Sequence, residues 1–265
     1  SEKYRFPRDH AWMLELTRQA AAQPRNVAVR LSLADLYRRN HKFSKAERTL
    51  LEARALAPVN RALLFQLGEL HLAMGRPGQA WDTFEEILYL DPGNLASRLG
   101  QGRAEGAAGR VNEAWAVFAG VENDYGQIEE LDIAGTRQLV NEGDYGAAIT
   151  AARKGLARYP DSATLYYLRG RAYGALGMVA AAKTDLYDAL ALDADLVDAY
   201  EVLGDVSMQE GKYADASAQY LRVVTHRPGD PAAGMALGRA YLMDMKYADA
   251  VRELDLCAQL HGERQ

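Results

Sequence analysis

Apolar side chains recur along the chain at intervals of three and four residues, in stretches too long for strands and separated by short polar breaks. Leu64, Leu67, Gly68 and Leu72 share one face of one such stretch, and Trp81, Phe84, Ile87 and Leu88 line the next. That spacing predicts amphipathic helices throughout. The pattern also repeats at long range. The alanines that open alternate helices, Ala46, Ala80, Ala114, Ala148, Ala182, Ala216 and Ala250, follow one another at steps of 34 residues. Three further columns keep that step. One is small: Ala34, Gly68, Gly102, Thr136, Gly170, Gly204, Gly238. One is mostly large: Leu50, Phe84, Phe118, Ala152, Leu186, Tyr220, Leu254. The last is Pro24, Pro58, Pro92, Gly126, Pro160, Ala194, Pro228, Gly262. A fixed period of this kind marks a repeat array.

Each unit reads as cap, helix, glycine turn, helix, proline. Asn26, Asn60, Asn94, Ser162 and Asp230 stand where a first helix needs an N-cap, and Asp161 and Asp195 also read as caps. Gly75, Gly109, Gly143, Gly177 and Gly211 predict left-handed turns that stop the first helix. The proline column stops the second. The chain then divides into an N-terminal arm with a half-repeat helix (1–26) and seven repeats, 27–60, 61–94, 95–128, 129–162, 163–196, 197–230 and 231–264. The small columns predict close helix crossings, with large residues such as Tyr37, Phe84 and Tyr173 filling the adjoining holes. One helix pair cannot bury its apolar face alone, so the pairs are expected to stack into one continuous solenoid domain.

These residues resemble the tetratricopeptide repeat. Repeat six carries the family pattern as Tyr200, Leu203-Gly204, Ala216, Tyr220 and Pro228; repeat five as Tyr166, Gly170, Tyr173, Ala182, Leu186 and Ala189. The resemblance runs from repeat one to repeat seven without insertion. It implies an all-α fold, a right-handed α-α superhelical solenoid of seven 34-residue helix pairs plus an N-terminal half repeat.

The third repeat is the least regular. "LASRLGQGRAEGAAGR", Leu95–Arg110, holds Gly100, Gly102, Gly106 and Gly109. No strand precedes its Gly-x-Gly, so a dinucleotide loop is not expected. Gly102 belongs to the crossing column and Gly109 to the turn column; Gly100 and Gly106 read as extra. Gln101 and Glu105 replace Leu or Tyr, and Gly126 replaces the terminal proline. The expectation is a degenerate unit held by its neighbours, with flexing of the solenoid at this point as the sharper alternative.

In the family the first helix of each pair lines a concave groove where partners usually lie. Carried over by register, one groove column reads Asp35, Glu69, Arg103, Arg137, Arg171, Asp205, Arg239. The three consecutive arginines, with Arg239, would each take a carboxylate bidentately. The column four residues earlier supplies Phe65, Leu99, Ile133, Tyr167 and Met235 as an apolar floor. The arginines could instead pair with acids such as Glu105, Asp132 or Glu142. The expected partner is a protein or peptide with acidic groups. The clamp that grips chaperone C-termini needs Lys and Asn on adjacent inner helices, and Leu31, Asp35, Phe65 and Glu69 do not supply it.

Composition narrows the classes. Of 265 residues, 49% are hydrophobic and 25% charged, as in an ordinary folded chain. A net charge of −5 argues against nucleic acid as the main partner. No apolar run reaches the roughly 20 residues of a membrane-spanning helix. The five histidines are scattered, no metal spacing, phosphate loop or nucleophile elbow appears, and Cys257 is expected to be buried and inert. No catalytic residue, metal or cofactor is expected. "SEKYRFPRDHAWMLELTRQAAAQP" places a basic-aromatic arm, Tyr4, Arg5, Phe6 and Arg8, before Trp12, Leu16 and Pro24 on the repeat columns. Repeat seven lacks a polar capping helix, so the chain is expected to be a fragment or to self-associate. The functional expectation is therefore a non-catalytic interaction scaffold. The alternative is a self-associating scaffold of a bacterial assembly (envelope, secretion, polysaccharide export or pilus biogenesis), in the cytoplasm or periplasm.

Overall fold

A computed structural model describes residues 8–227 and 230–262, which form fifteen α-helices with no strand among them. Tyr4, Arg5, Phe6 and Pro228 lie outside the described residues. After α1 (Arg8–Ala22) the helices come in pairs: α2 (Val27–Arg39) with α3 (Phe43–Leu56), α4 (Arg61–Ala73) with α5 (Pro77–Leu90), and α6 (Leu95–Ala107) with α7 (Val111–Tyr125). There follow α8 (Glu129–Glu142) with α9 (Tyr145–Arg158), α10 (Ala163–Ala175) with α11 (Val179–Leu192), α12 (Val197–Gln209) with α13 (Tyr213–His226), and α14 (Pro231–Met243) with α15 (Tyr247–Gly262). The chain forms two compact units that divide within α8, after Ala134. In the first unit each helix from α1 to α7 packs on the next; in the second the same holds from α9 to α15.

The helix ends are built by local chemistry. Asn26, Asn60, Asn94, Ser162 and Asp230 each accept a backbone N–H of the first turn that they cap, from Val29, Leu63, Ser97, Leu165 and Ala232. The caps at the other acidic positions differ from expectation. Ser162, not Asp161, caps α10, and the N-cap residue of α12, Leu196, gives no side-chain cap while Asp193 accepts the Asp195 N–H. The intra-pair turns share one hydrogen bond, from the residue after the turn to the carbonyl five residues back. Its members include Arg76 to His71 at 2.8 Å and Lys212 to Ser207 at 2.9 Å, a Schellman closure. It needs a left-handed residue in between. The five turn glycines supply it, at φ 68 to 79°, but at the same register His41 (φ 54°) and Met245 (φ 57°) adopt it without being glycine.

The core follows the columns. Every alanine that opens a second helix, from Ala46 to Ala250, is fully buried. The crossing glycines seat the large column: a Cβ on Gly68 would stand 2.6 Å from Phe84 Cε1, and one on Gly204 2.5 Å from Tyr220 Cε1. Gly100, read as extra, has a packing role. Its Cβ would stand 2.7 Å from Phe84 Cζ, so the Phe84 ring lies between Gly68 of α4 and Gly100 of α6. Gly100 also begins a pattern of compensating sizes sixteen residues after the large column. Phe84, Phe118 and Tyr220 are followed by Gly100, Ala134 and Ala236, whereas Ala152 and Leu186 are followed by Leu168 and Val202. Ala134 shares a cluster with Phe118, and Ala236 packs against that of Tyr220.

A second compensation is ionic. Arg169 occupies a register where Leu67, Leu203 and Leu237 are buried, and it makes a two-pronged bond of 2.6 and 2.8 Å to the buried Asp185 of α11. Glu253 occupies the register of Asp185, but Leu237 stands opposite it in place of an arginine. Burial alone pushes its carboxyl above the ordinary glutamate range.

Candidate functional site

Successive first helices touch one another, α2 with α4 and α4 with α6 in the first unit, α10 with α12 in the second. The positions nominated for partner binding lie on these first helices and on α8 and α14. In the first unit the first helices carry Asp35, Glu69 and Arg103. Asp35 is held within its own helix by Arg38 at 2.8 Å and Arg39 at 2.7 Å. Arg103 is held across helices: its two terminal nitrogens donate to the two oxygens of Glu69 at 2.8 and 3.1 Å. Its partner is thus the acid one repeat earlier in its own column. Glu105, considered for that role, is paired with Arg110 at the turn. A partner carboxylate approaching Arg103 has to displace Glu69.

The second unit is organised differently. Arg171 and Arg239 are exposed and form no ion pair among the described residues. Burial pushes the Tyr167 hydroxyl above its ordinary pKa, the Asp198 carboxylate adds to the shift, and Arg171 and Arg137 oppose it. Arg137 is half-buried. Between the arginine-bearing helices, α12 turns an acidic face outward with Asp198, Glu201 and Asp205. Burial lifts the Glu201 carboxyl above its usual range, Arg227 at 3.5 Å opposes the shift, and Asp198, Asp205 and Asp230 add to it. Asp205 accepts a 2.6 Å hydrogen bond from the hydroxyl of Tyr220.

The apolar positions are not equally available. Leu99 and Tyr167 are 7% and 9% exposed, so they offer an edge rather than a surface. Phe65 and Ile133 are half-buried, and Phe65 packs on Phe84 with ring centroids 5.8 Å apart. Met235 is 55% exposed, and Leu242, one helical turn beyond Arg239, is also exposed. Cys257 is half-buried rather than buried; its Sγ lies over Gly234, and burial raises its thiol pKa. Among the described residues no group of His, Cys, Asp and Glu could hold a metal ion, and no helix is long and apolar enough to cross a membrane.

The tetratricopeptide repeat family model matches residues 31–95, 137–197 and 202–258. The unmatched stretch between the first two holds the glycine-rich α6 and the left-handed Gly126. No curated protein matches the sequence. Among solved structures, the chain is similar to a tetratricopeptide repeat protein from Parabacteroides merdae, at 15% identity and a TM-score of 0.59 over 93% of this chain and 91% of that one. It is also similar to the anaphase-promoting complex hetero-tetramer Cut9-Hcn1, at 18% identity and a TM-score of 0.55 over 88% and 46%. These likenesses show the fold, an all-α superhelical repeat, and repeats of this kind generally mediate protein–protein interaction. With helix pairs, glycine turns and crossing columns in one register, and the family model matching well over half of its length, the chain belongs to the tetratricopeptide repeat family.

Proposed function

We propose that the chain is a non-catalytic scaffold that holds a partner protein or peptide bearing acidic groups along the face of its first helices, within a division into the seven repeats set out above. Arg103, Arg137, Arg171 and Arg239 are the assigned polar contacts. Phe65, Ile133, Met235 and the edges of Leu99 and Tyr167 are the apolar ones. The observation that carries this reading is the exposure of Arg171 and Arg239 at one register with no carboxylate partner among the described residues, beside half-buried and exposed apolar side chains. Proteins retained by the immobilised chain are identified and titrated against wild type and the Arg171→Glu/Arg239→Glu variant. Affinity should fall at least tenfold and lose most of its salt dependence, as the loss of two charge-assisted contacts requires. Equal affinities and equal salt slopes would remove the arginines from the account.

A further inference from the structure

The acid of the groove column has two fates. In the first unit Glu69 bonds Arg103 of the following first helix, and the large-column residue beside it is Phe84, which has no hydroxyl. In the second unit Asp205 is the equivalent acid and Arg239 the equivalent arginine, each four 34-residue repeats after its counterpart in register. Here the large-column residue is Tyr220, seated on Gly204 as Phe84 is on Gly68. Its hydroxyl donates to Asp205 Oδ1 at 2.6 Å, close enough to Arg239 to feel its charge, and no Asp205–Arg239 ion pair forms. We propose that Tyr220 is a positioning residue for partner recognition: by holding Asp205 it keeps Arg239 open, so that Met235, Arg239 and Leu242 on α14 present a guanidinium between two exposed apolar side chains to a partner carboxylate flanked by aliphatic residues. The occupant follows from charge and spacing. A lone guanidinium selects an acid, and the apolar groups four residues before and three after it select aliphatic neighbours on the same segment. This deepens the partner-binding reading above and rests on it.

The probe is a capped, rhodamine-labelled peptide of alternating leucine and glutamate, with its leucine–lysine counterpart as control, both titrated against the whole chain by fluorescence anisotropy. Wild type should bind the glutamate peptide and not the lysine one, and Arg239→Gln should abolish binding. Tyr220→Phe, which the equivalent Phe84 shows the slot accepts, should free Asp205 to pair with Arg239 and weaken binding about tenfold. Tyr220→Phe/Asp205→Asn removes the competing carboxylate and should restore wild-type affinity, a recovery that simple loss of packing does not produce. A ligand-free measurement reads the gate directly: solvent exchange of the Arg239 Nε–H should slow in Tyr220→Phe and return to the wild-type rate in the double variant. If Arg239→Gln loses the peptide while Tyr220→Phe binds like wild type with unchanged exchange, the gate is refuted and the binding surface stands. If wild type does not bind the glutamate peptide, or binds both peptides alike, the recognition proposed for α14 is overturned whatever the exchange rates show.

Discussion

Gly100→Ala tests the packing logic most sharply, because two opposite effects of known size meet at one atom. Alanine in a helix interior is favoured over glycine by about 0.5–1 kcal/mol. An extra glycine in a degenerate repeat should therefore be improved by the change. The structure gives the opposite sign. The new methyl would lie 2.7–2.9 Å from three atoms of the Phe84 ring, and that ring is backed by Gly68, where a methyl would lie 2.6 Å away. A ring held on both sides by helix backbone cannot step aside, and overpacking of this kind costs about 1–3 kcal/mol. The net expectation is a loss of about 1–2 kcal/mol, each kcal/mol lowering the midpoint by roughly 2–4 °C in a chain of this size.

The assay is thermal and urea unfolding of the whole chain, with hydrogen exchange on α6 as the local readout, since repeat arrays need not unfold in one step. Gly78→Ala is the control: nothing lies within 4 Å of the added methyl, so only the helix preference remains and stability should rise. Phe84→Leu supplies the cycle, because Leu50 and Leu186 already serve in that column. With leucine at 84, Gly100→Ala should become neutral or stabilising, a coupling of at least 1 kcal/mol between the sites. If Gly100→Ala stabilises the wild-type chain as Gly78→Ala does, the ring is not clamped and the compensating-size pattern is coincidence.

Other outcomes follow from the same register. Met245→Gly should stabilise by about 0.5–1 kcal/mol in urea titration, because it relieves a left-handed non-glycine residue. Asp185→Ala should cost about 1–3 kcal/mol by leaving the half-buried Arg169 guanidinium without its carboxylate. Arg169→Leu/Asp185→Thr, which recreates Leu67 and Thr83 of repeat two, should be near neutral in the same assay. Burial raises the folded-state pKa of Glu253, so its ionised form opposes folding at neutral pH, and that penalty fades as pH falls from the raised value to the unfolded one. Glu253→Gln should therefore raise the urea midpoint at pH 7 and leave it unchanged near pH 4. Hydrogen exchange should find the α6 amides as protected as those of α12, since Gly100 and Gly102 are contact points for Phe84 and Phe118.

How much of this was legible depends on how far away the cause of each residue lies. The N-caps and turn glycines were readable because the partner is two to five residues distant on the same strand of chain. Gly100 was not readable in the same way, because its reason is Phe84, on another helix and in another column. The signal existed as the alternation of Phe84 with Gly100 and Ala152 with Leu168, but only a comparison across columns exposes it. Arg103 shows the same gap. Reading down the arginines suggested a row of open guanidiniums, whereas reading one step up the column gives Glu69, which the structure joins to it. The exposed Arg239 could not be told from Arg103 by residue type, since the acid one repeat earlier, Asp205, is already bonded to Tyr220, whereas Arg171 has Arg137 and no acid one step up its column.

The last point links the core to the binding face. The large column fills the space beside the crossing glycines, and in repeat six its ring tip ends at the residue that follows the glycine, the acid Asp205, whose register in repeat two is Glu69. Phenylalanine and tyrosine serve the packing equally, so the core places almost no constraint on the choice. The hydroxyl nevertheless decides whether the acid bonds inward to its own pair or forward to the next arginine. In repeat six one buried oxygen atom can thus set whether the following guanidinium is open or closed while the helices keep their packing. An array built this way can change what it recognises through its core as readily as through its surface.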